Sequence, residues 1–296
     1  METVPAKHLL HRSKSTAWFG TDHTMNLYRG CCHGCLYCDS RSICYQDPDF
    51  DTVKVKADAL RLLRDDLARK ARPALINMGA MSDLYNPFEK ELLLTRHALE
   101  LIGAYGCGVA AATKSDLIVR DIDLYQEIAK AAPALCMLTV TTADDDLAAK
   151  VEPGAPPPSR RLAAVENLAK AGLFTGVLLM PVLPFLEDTE ENILAVVDRA
   201  ADAGARFVYA AMGMTMREGQ REHFLRELDR AFPGQGLGER YRKRYGTRYQ
   251  CASPRARELW DLFSGRCRER GLLYEMRHII SASARGYADR QLTFFD

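Results

Sequence analysis

The strongest chemical signal in the chain is the stretch Gly30-Cys31-Cys32-His33-Gly34-Cys35-Leu36-Tyr37-Cys38. Cys31, Cys35 and Cys38 are spaced as C-x3-C-x2-C. Thiolates so spaced can curl around one soft metal centre. A four-iron cluster normally takes one cysteine per iron. Three cysteines therefore leave one iron open to a substrate or cofactor. Gly30 and Gly34 suit the tight backbone such a loop needs. Two other readings stand beside the cluster. One is a zinc site completed by Cys32 or His33; the other is a set of buried thiols. Zinc sites usually pair two separate knuckles, and no C-x2-C or H-x3-H occurs outside this stretch, so the pattern favours the cluster.

A loop of this kind needs a scaffold, and the chain supplies an alternation. Short apolar runs at 24–28, 74–78, 108–112, 134–139, 175–180 and 207–211 read as strands. Between them lie helical patterns at 58–70, 87–104, 121–131, 159–171 and 189–203, with Ser159 as a cap and Asp188 capping the last. Such alternation predicts a parallel sheet. In parallel α/β sheets, sites lie at the carboxyl ends of the strands. The polar residues there are Ser82 and Asp83, then Lys114 and Ser115, then Thr141, followed by the pair Arg160 and Arg161. Met212, Met214 and Met216 follow the last strand; they read as soft core or, more sharply, as a lining for a flat substrate.

The cysteine loop, with an aromatic just before its last cysteine, resembles that of the radical S-adenosylmethionine (SAM) superfamily. Later segments resemble the spore photoproduct lyase-like branch: Ser82-Asp83-Leu84-Tyr85-Asn86-Pro87-Phe88-Glu89, Glu152-Pro153 with Arg161-Leu162, and Pro181-Val182-Leu183-Pro184 with Asp188. The resemblance spans about residues 20 to 220. It implies an open, partial (β/α)6 TIM-like barrel, and the strand count agrees. It implies a 4Fe-4S cluster on Cys31, Cys35 and Cys38, and SAM as second cofactor. It makes Ser82 and Asp83 candidates for the SAM ammonium, Lys114 and Ser115 for its carboxylate and ribose, and Thr141 a further contact. Tyr37 is expected beside the cluster or SAM, and one of the two arginines on an anion. The implied chemistry is one-electron cleavage of SAM to methionine and a 5′-deoxyadenosyl radical, fed by a reductase or flavodoxin-type electron donor. Two departures stand out. The lyases carry a hydrogen-donating cysteine where this chain has Met81, and a tyrosine after the third cluster cysteine where it has Asp39.

Composition sets the outer bounds. The 296 residues, 47% hydrophobic and 27% charged, fit a globular protein. No apolar run approaches a membrane span, and the start lacks a signal-peptide pattern, so a cytoplasmic enzyme is expected. Nine cysteines, an odd number, argue against a disulfide framework. Residues 1–23 read as a lead-in, 24–220 as the partial barrel and 221–296 as a C-terminal extension, with a helix at 254–270 and a closing strand at 272–280. Within the extension, 240–249 interleaves basic residues with tyrosines, which suits nucleic acid. Gln291-Leu292-Thr293-Phe294-Phe295-Asp296 resembles the peptide by which bacterial repair and replication proteins hold the DNA sliding clamp. The expected function is a lyase-like radical SAM enzyme acting on nucleic acid. Modification of a peptide or small metabolite is the alternative, and a non-catalytic zinc or clamp-binding module a weaker one.

Overall fold

The computed structural model describes residues 2–70 and 72–287; the terminal peptide Gln291–Asp296 lies outside them. The main sheet runs in one linear order, β1 (His11–Arg12), β2 (His23–Met25), β3 (Leu75–Met78), β4 (Gly108–Thr113), β5 (Ala134–Thr139), β6 (Phe174–Leu179) and β7 (Phe207–Ala210). From β2 onward every neighbour is parallel; β1 is an antiparallel edge. The sheet is thus the expected open partial barrel, with a short extra strand drawn from the lead-in. Among the described residues β7 does not close back on β1.

The helices form because their apolar residues recur at helical spacing. Ile193, Val196, Val197 and Ala200 bury one face of Glu190–Asp202, and Thr189 caps it by accepting from the Asn192 N–H at 3.2 Å. The isoleucine and each valine, once fully buried, contribute about 1.5–3 kcal/mol. The central strands β4, β5 and β6 are buried on both faces. Along β5, Cys136 and Leu138 point into the outer core under the helices, while Leu135 and Met137 point inward. The inner face is filled by Phe19, Phe207 and Ile279. Phe174 stacks on Phe207 with ring centroids 5.6 Å apart. Gly176 leaves the space that ring fills, since a Cβ there would lie 2.5 Å from it.

Several local expectations are corrected. Asp188 does not cap its helix; Thr189 does, and Asp188 instead accepts from the Phe185 N–H and the Ser253 hydroxyl at 2.6 Å each. Ser159 lies inside the helix Pro158–Lys170, which starts on a proline, and its hydroxyl donates to Asp145. The closing strand at 272–280 is a single bridge, Leu273 beside Phe207, followed by the helix Met276–Ser283. That helix buries Ile279 and Ser283, four residues apart as on one helical face, with Ile279 against the inner face. The helix Ala256–Glu269 packs Leu259, Phe263 and Cys267 into the main core. A hairpin of β8 (Gly213–Thr215) and β9 (Gln250–Ala252), with the helices Gln220–Ala231 and Leu237–Tyr245 between them, roofs the cysteine loop. No helix among the described residues is long and apolar enough to cross a membrane.

Candidate active site

The cysteine loop leaves the sheet after β2 and is tied down from several directions. The Cys31 N–H donates to Phe50 O at 2.7 Å, and the Ser82 hydroxyl donates to Gly30 O at 2.5 Å. Gly30 has φ +77°, and a Cβ there would lie 2.2 Å from Thr52 O, so glycine is required. On the far side, the Leu36 N–H donates to Val151 O and the Gly154 N–H to His33 O, each at 2.9 Å. From the roof, the Gln220 amide donates to Tyr37 O at 3.2 Å.

This places Cys31, Cys35 and Cys38 on one cavity of about 140 Å³ at the carboxyl ends of β3 and β4. Tyr37, Ser82, Asp83 and Lys114 line the same cavity, as does His33. Ser115 and Thr141 do not. The Ser115 hydroxyl accepts from the Leu117 N–H and starts the turn Asp116–Asp121. The buried Thr141 hydroxyl donates to Glu187 at 2.8 Å.

All nine cysteines are free thiols. Burial pushes Cys31 up to about 12 and raises Cys35 and Cys38 as well. A metal centre must therefore displace their protons on binding. Among the described residues no three His, Cys, Asp or Glu side chains converge to hold a single ion. A four-iron cluster asks for something different: one thiolate per iron. The donor set and its cavity fit such a cluster.

Asp83 is the hub beside the loop. It accepts from the Thr113 hydroxyl at 2.6 Å, the Tyr85 N–H at 2.8 Å and the Lys114 N–H at 2.9 Å. His33 Nδ1 lies 3.4 Å away, and burial outweighs that carboxylate to lower the His33 pKa. Asp83 thus fixes the backbone that presents Lys114, besides offering its own charge to the cavity. A second hub is Glu152, which was not among the expected site residues. It is fully buried, accepts from the Tyr37 hydroxyl, and pairs with Arg161 at 2.5 Å and Lys114 at 3.8 Å. Burial alone would raise its pKa, but Arg161 and Lys114 overcome this and hold it below the usual carboxylate value. The two arginines are now distinguished. Arg160 is exposed and pairs with Asp116; Arg161 is buried at the site. Only the Glu-Pro step before a proline-rich loop hinted at Glu152 in the sequence.

Beside the cysteine cavity lies a larger one of about 460 Å³, and Tyr37, Cys38, Ser40 and Ala80 line both. Met180, Pro181, Met212 and Met214 give it an apolar wall, so two of the three methionines after β7 do line a chamber. Cys251 lines it as well. The basic stretch is corrected in part. Tyr241 and Tyr245 turn inward, donating to Pro184 O and Ala252 O, so neither ring is available for base stacking. Arg242, Lys243, Arg244 and Arg248 face solvent, and Tyr249 is 44% exposed.

Comparison with known proteins agrees with this geometry. The family model of the radical SAM superfamily matches residues 25–197. An uncharacterized protein of Mycobacterium tuberculosis H37Rv is 34% identical over 249 residues, 82% of this chain and 72% of that protein. An uncharacterized protein of Methanocaldococcus jannaschii is 31% identical over 174 residues, 58% of this chain and 64% of that protein. Among solved structures, spore photoproduct lyase complexed with dinucleoside spore photoproduct shares the fold. Its TM-score is 0.67 at 18% identity, covering 92% of this chain and 81% of the lyase. The radical SAM methyltransferase TsrM of Kitasatospora setae, with tryptophan substrate and a SAM analog bound, has TM-score 0.54 at 13% identity. That match covers 89% of this chain and 58% of the methyltransferase.

Proposed function

The chain belongs to the radical SAM superfamily, and we propose that within it the protein is a lyase-like enzyme acting on a base of nucleic acid. One observation carries this reading: the three-thiol cavity shares a wall with an apolar chamber large enough for a flat ring system. Cys31, Cys35 and Cys38 would hold the cluster, one iron each. Asp83 and Lys114 bring opposite charges to the same cavity, matched to an amino group and a carboxylate, with Ser82 beside them. When bound, the cluster and SAM supply one-electron cleavage of a carbon–sulfur bond and a 5′-deoxyadenosyl radical. Tyr37 stands between that cavity and the chamber. Met180, Met212 and Met214 exclude water from the chamber and give a base an apolar surface to lie on. The exposed cations of 242–248 suit the phosphates of the same strand. Met81 lines the cysteine cavity and has no S–H to return, so repair by the lyases' own cysteine route is not part of the proposal. Leu292 and Phe295 remain the proposed anchors for a sliding clamp: Leu292→Ala and Phe295→Ala should each abolish clamp pull-down, and unchanged binding rejects it.

The deciding experiment is anaerobic reconstitution followed by SAM and dithionite, with 5′-deoxyadenosine quantified with and without UV-irradiated DNA. DNA-stimulated release with altered thymine products is expected. Slow release that ignores DNA would keep the radical machinery and reject the substrate class.

A further inference from the structure

We infer that Glu152 is a positioning residue that locks Tyr37 and sets the charge beside the cysteine loop. The inference rests on the cluster reading above, but not on the nucleic-acid substrate. Glu152 joins three segments far apart in sequence: the loop through Tyr37, the end of β4 through Lys114, and the helix Pro158–Lys170 through Arg161. Its neighbours clamp the same loop, since Val151 O accepts from Leu36 and Gly154 donates to His33. A Cβ on Gly154 would lie 2.4 Å from Cys32 O, so the two backbones are in direct contact there.

Arg161 is itself held. Its Nε donates to Pro156 O at 2.6 Å and its Nη1 to Thr139 O at 3.0 Å. It therefore anchors Glu152 to the barrel rather than reaching out as a free anion ligand. Two cations and one carboxylate are thus buried against the wall that carries Cys35 and Tyr37. Charges in so dry a site act strongly on one another, and net charge and hydrogen bonding tune iron–sulfur potentials. Glu152 places one negative charge among Lys114, Arg161 and Asp83, which disfavours the reduced, more negative cluster. That keeps the cluster a strong one-electron reductant.

The test is a potentiometric titration of the cluster-loaded chain without SAM, followed by electron paramagnetic resonance, with iron and sulfide counted per chain. Glu152→Gln should raise the midpoint potential by at least a tenfold change in the one-electron equilibrium, about 59 mV. Lys114→Met should move it the other way. Glu152→Asp, which keeps the charge, should return toward wild type. If Glu152→Gln does not retain iron, the expected result is recovery of iron in Glu152→Asp together with the downward shift in Lys114→Met. Unmoved potentials, shifts of one sign in both charge variants, or a folded Glu152→Asp without iron would overturn the inference. A folded wild-type chain that takes up no four-iron cluster would instead overturn the reading beneath it.

Discussion

The two ends of the same parallel strands are built on opposite principles. Toward their starts the inner face is closed by rings: Phe174 on Phe207, Phe19 beside Phe207, and Trp18 edge-on to Phe19 at 4.8 Å. At the carboxyl ends of β3, β4 and β5 the sheet presents Asp83, Thr113, Lys114 and Thr141, each with an assigned partner. The aromatic end is held by volume, where loss of a ring costs energy in proportion to the gap it leaves. The polar end is held by pairing, where loss of one member strands another inside the protein. Stability and chemistry are therefore separable between the two ends of one sheet.

The sharpest way to break that separation is to damage each end and measure both properties. Cys35→Ala should abolish iron retention and all 5′-deoxyadenosine release. It should shift the melting midpoint of the iron-free chain by only a few degrees, since about 1 kcal/mol moves a chain of this size by about 2–4 °C. Phe207→Ala should do the reverse. It should cost about 3–5 kcal/mol in denaturant titration, while iron bound per folded chain stays at the wild-type value. If Phe207→Ala depletes iron from chains that remain folded, the two ends are coupled and the comparison fails.

How much of this was legible in the sequence follows the same division. Strand starts and helix faces repeat with a period, so the parallel sheet could be read from runs such as 134–139 and 189–203. The cysteine loop carries its own spacing. What could not be read is where a polar side chain turns once it leaves a strand. Ser115 stands beside Lys114 in sequence yet serves the following turn, and Thr141 bonds Glu187 rather than the cavity. Glu152 reaches Tyr37 across 115 positions, a contact that no local pattern encodes. The inward turn of Tyr241 and Tyr245 was hidden for a related reason. Helical spacing put Tyr241 and Tyr245 on one side of Leu237–Tyr245, and that side met the apolar roof instead of solvent.

Glu187 offers a milder probe of the polar end. Burial raises its pKa to about 8, even though the Leu183 N–H and the Thr141 hydroxyl both donate to it. The folded pKa lies above the unfolded value of 4.5, so the folded state holds its proton while the unfolded chain releases it. The contribution to stability is fully present below about pH 4.5 and is lost as pH rises toward 8. Between pH 5 and pH 7 this amounts to roughly 2–3 kcal/mol. Glu187→Gln should flatten that part of the pH–stability curve, as read by urea unfolding at several pH values. A slope equal to the wild type's would assign the dependence to other groups.

The smallest expected effect concerns the solvent face of the helix Leu237–Tyr245 and the loop after it. If this surface follows a phosphate backbone, Lys243→Ala and Arg248→Ala should each weaken single-stranded DNA binding whatever the sequence. Each should also reduce the slope of log affinity against log salt by about 1. Tyr249 is the exposed ring of this stretch, with the Arg217 guanidinium 4.7 Å from its centroid, so Tyr249→Ala should cost about 1–3 kcal/mol of binding if a base stacks there. It should leave the salt slope alone, because stacking releases no counterions. Tyr241→Phe, buried beneath, removes one hydrogen bond to Pro184 O and should change stability without changing the slope. Should the salt slope survive both cation variants, this face is a solvated surface, and the nucleic-acid contact must be sought around the rim of the two cavities.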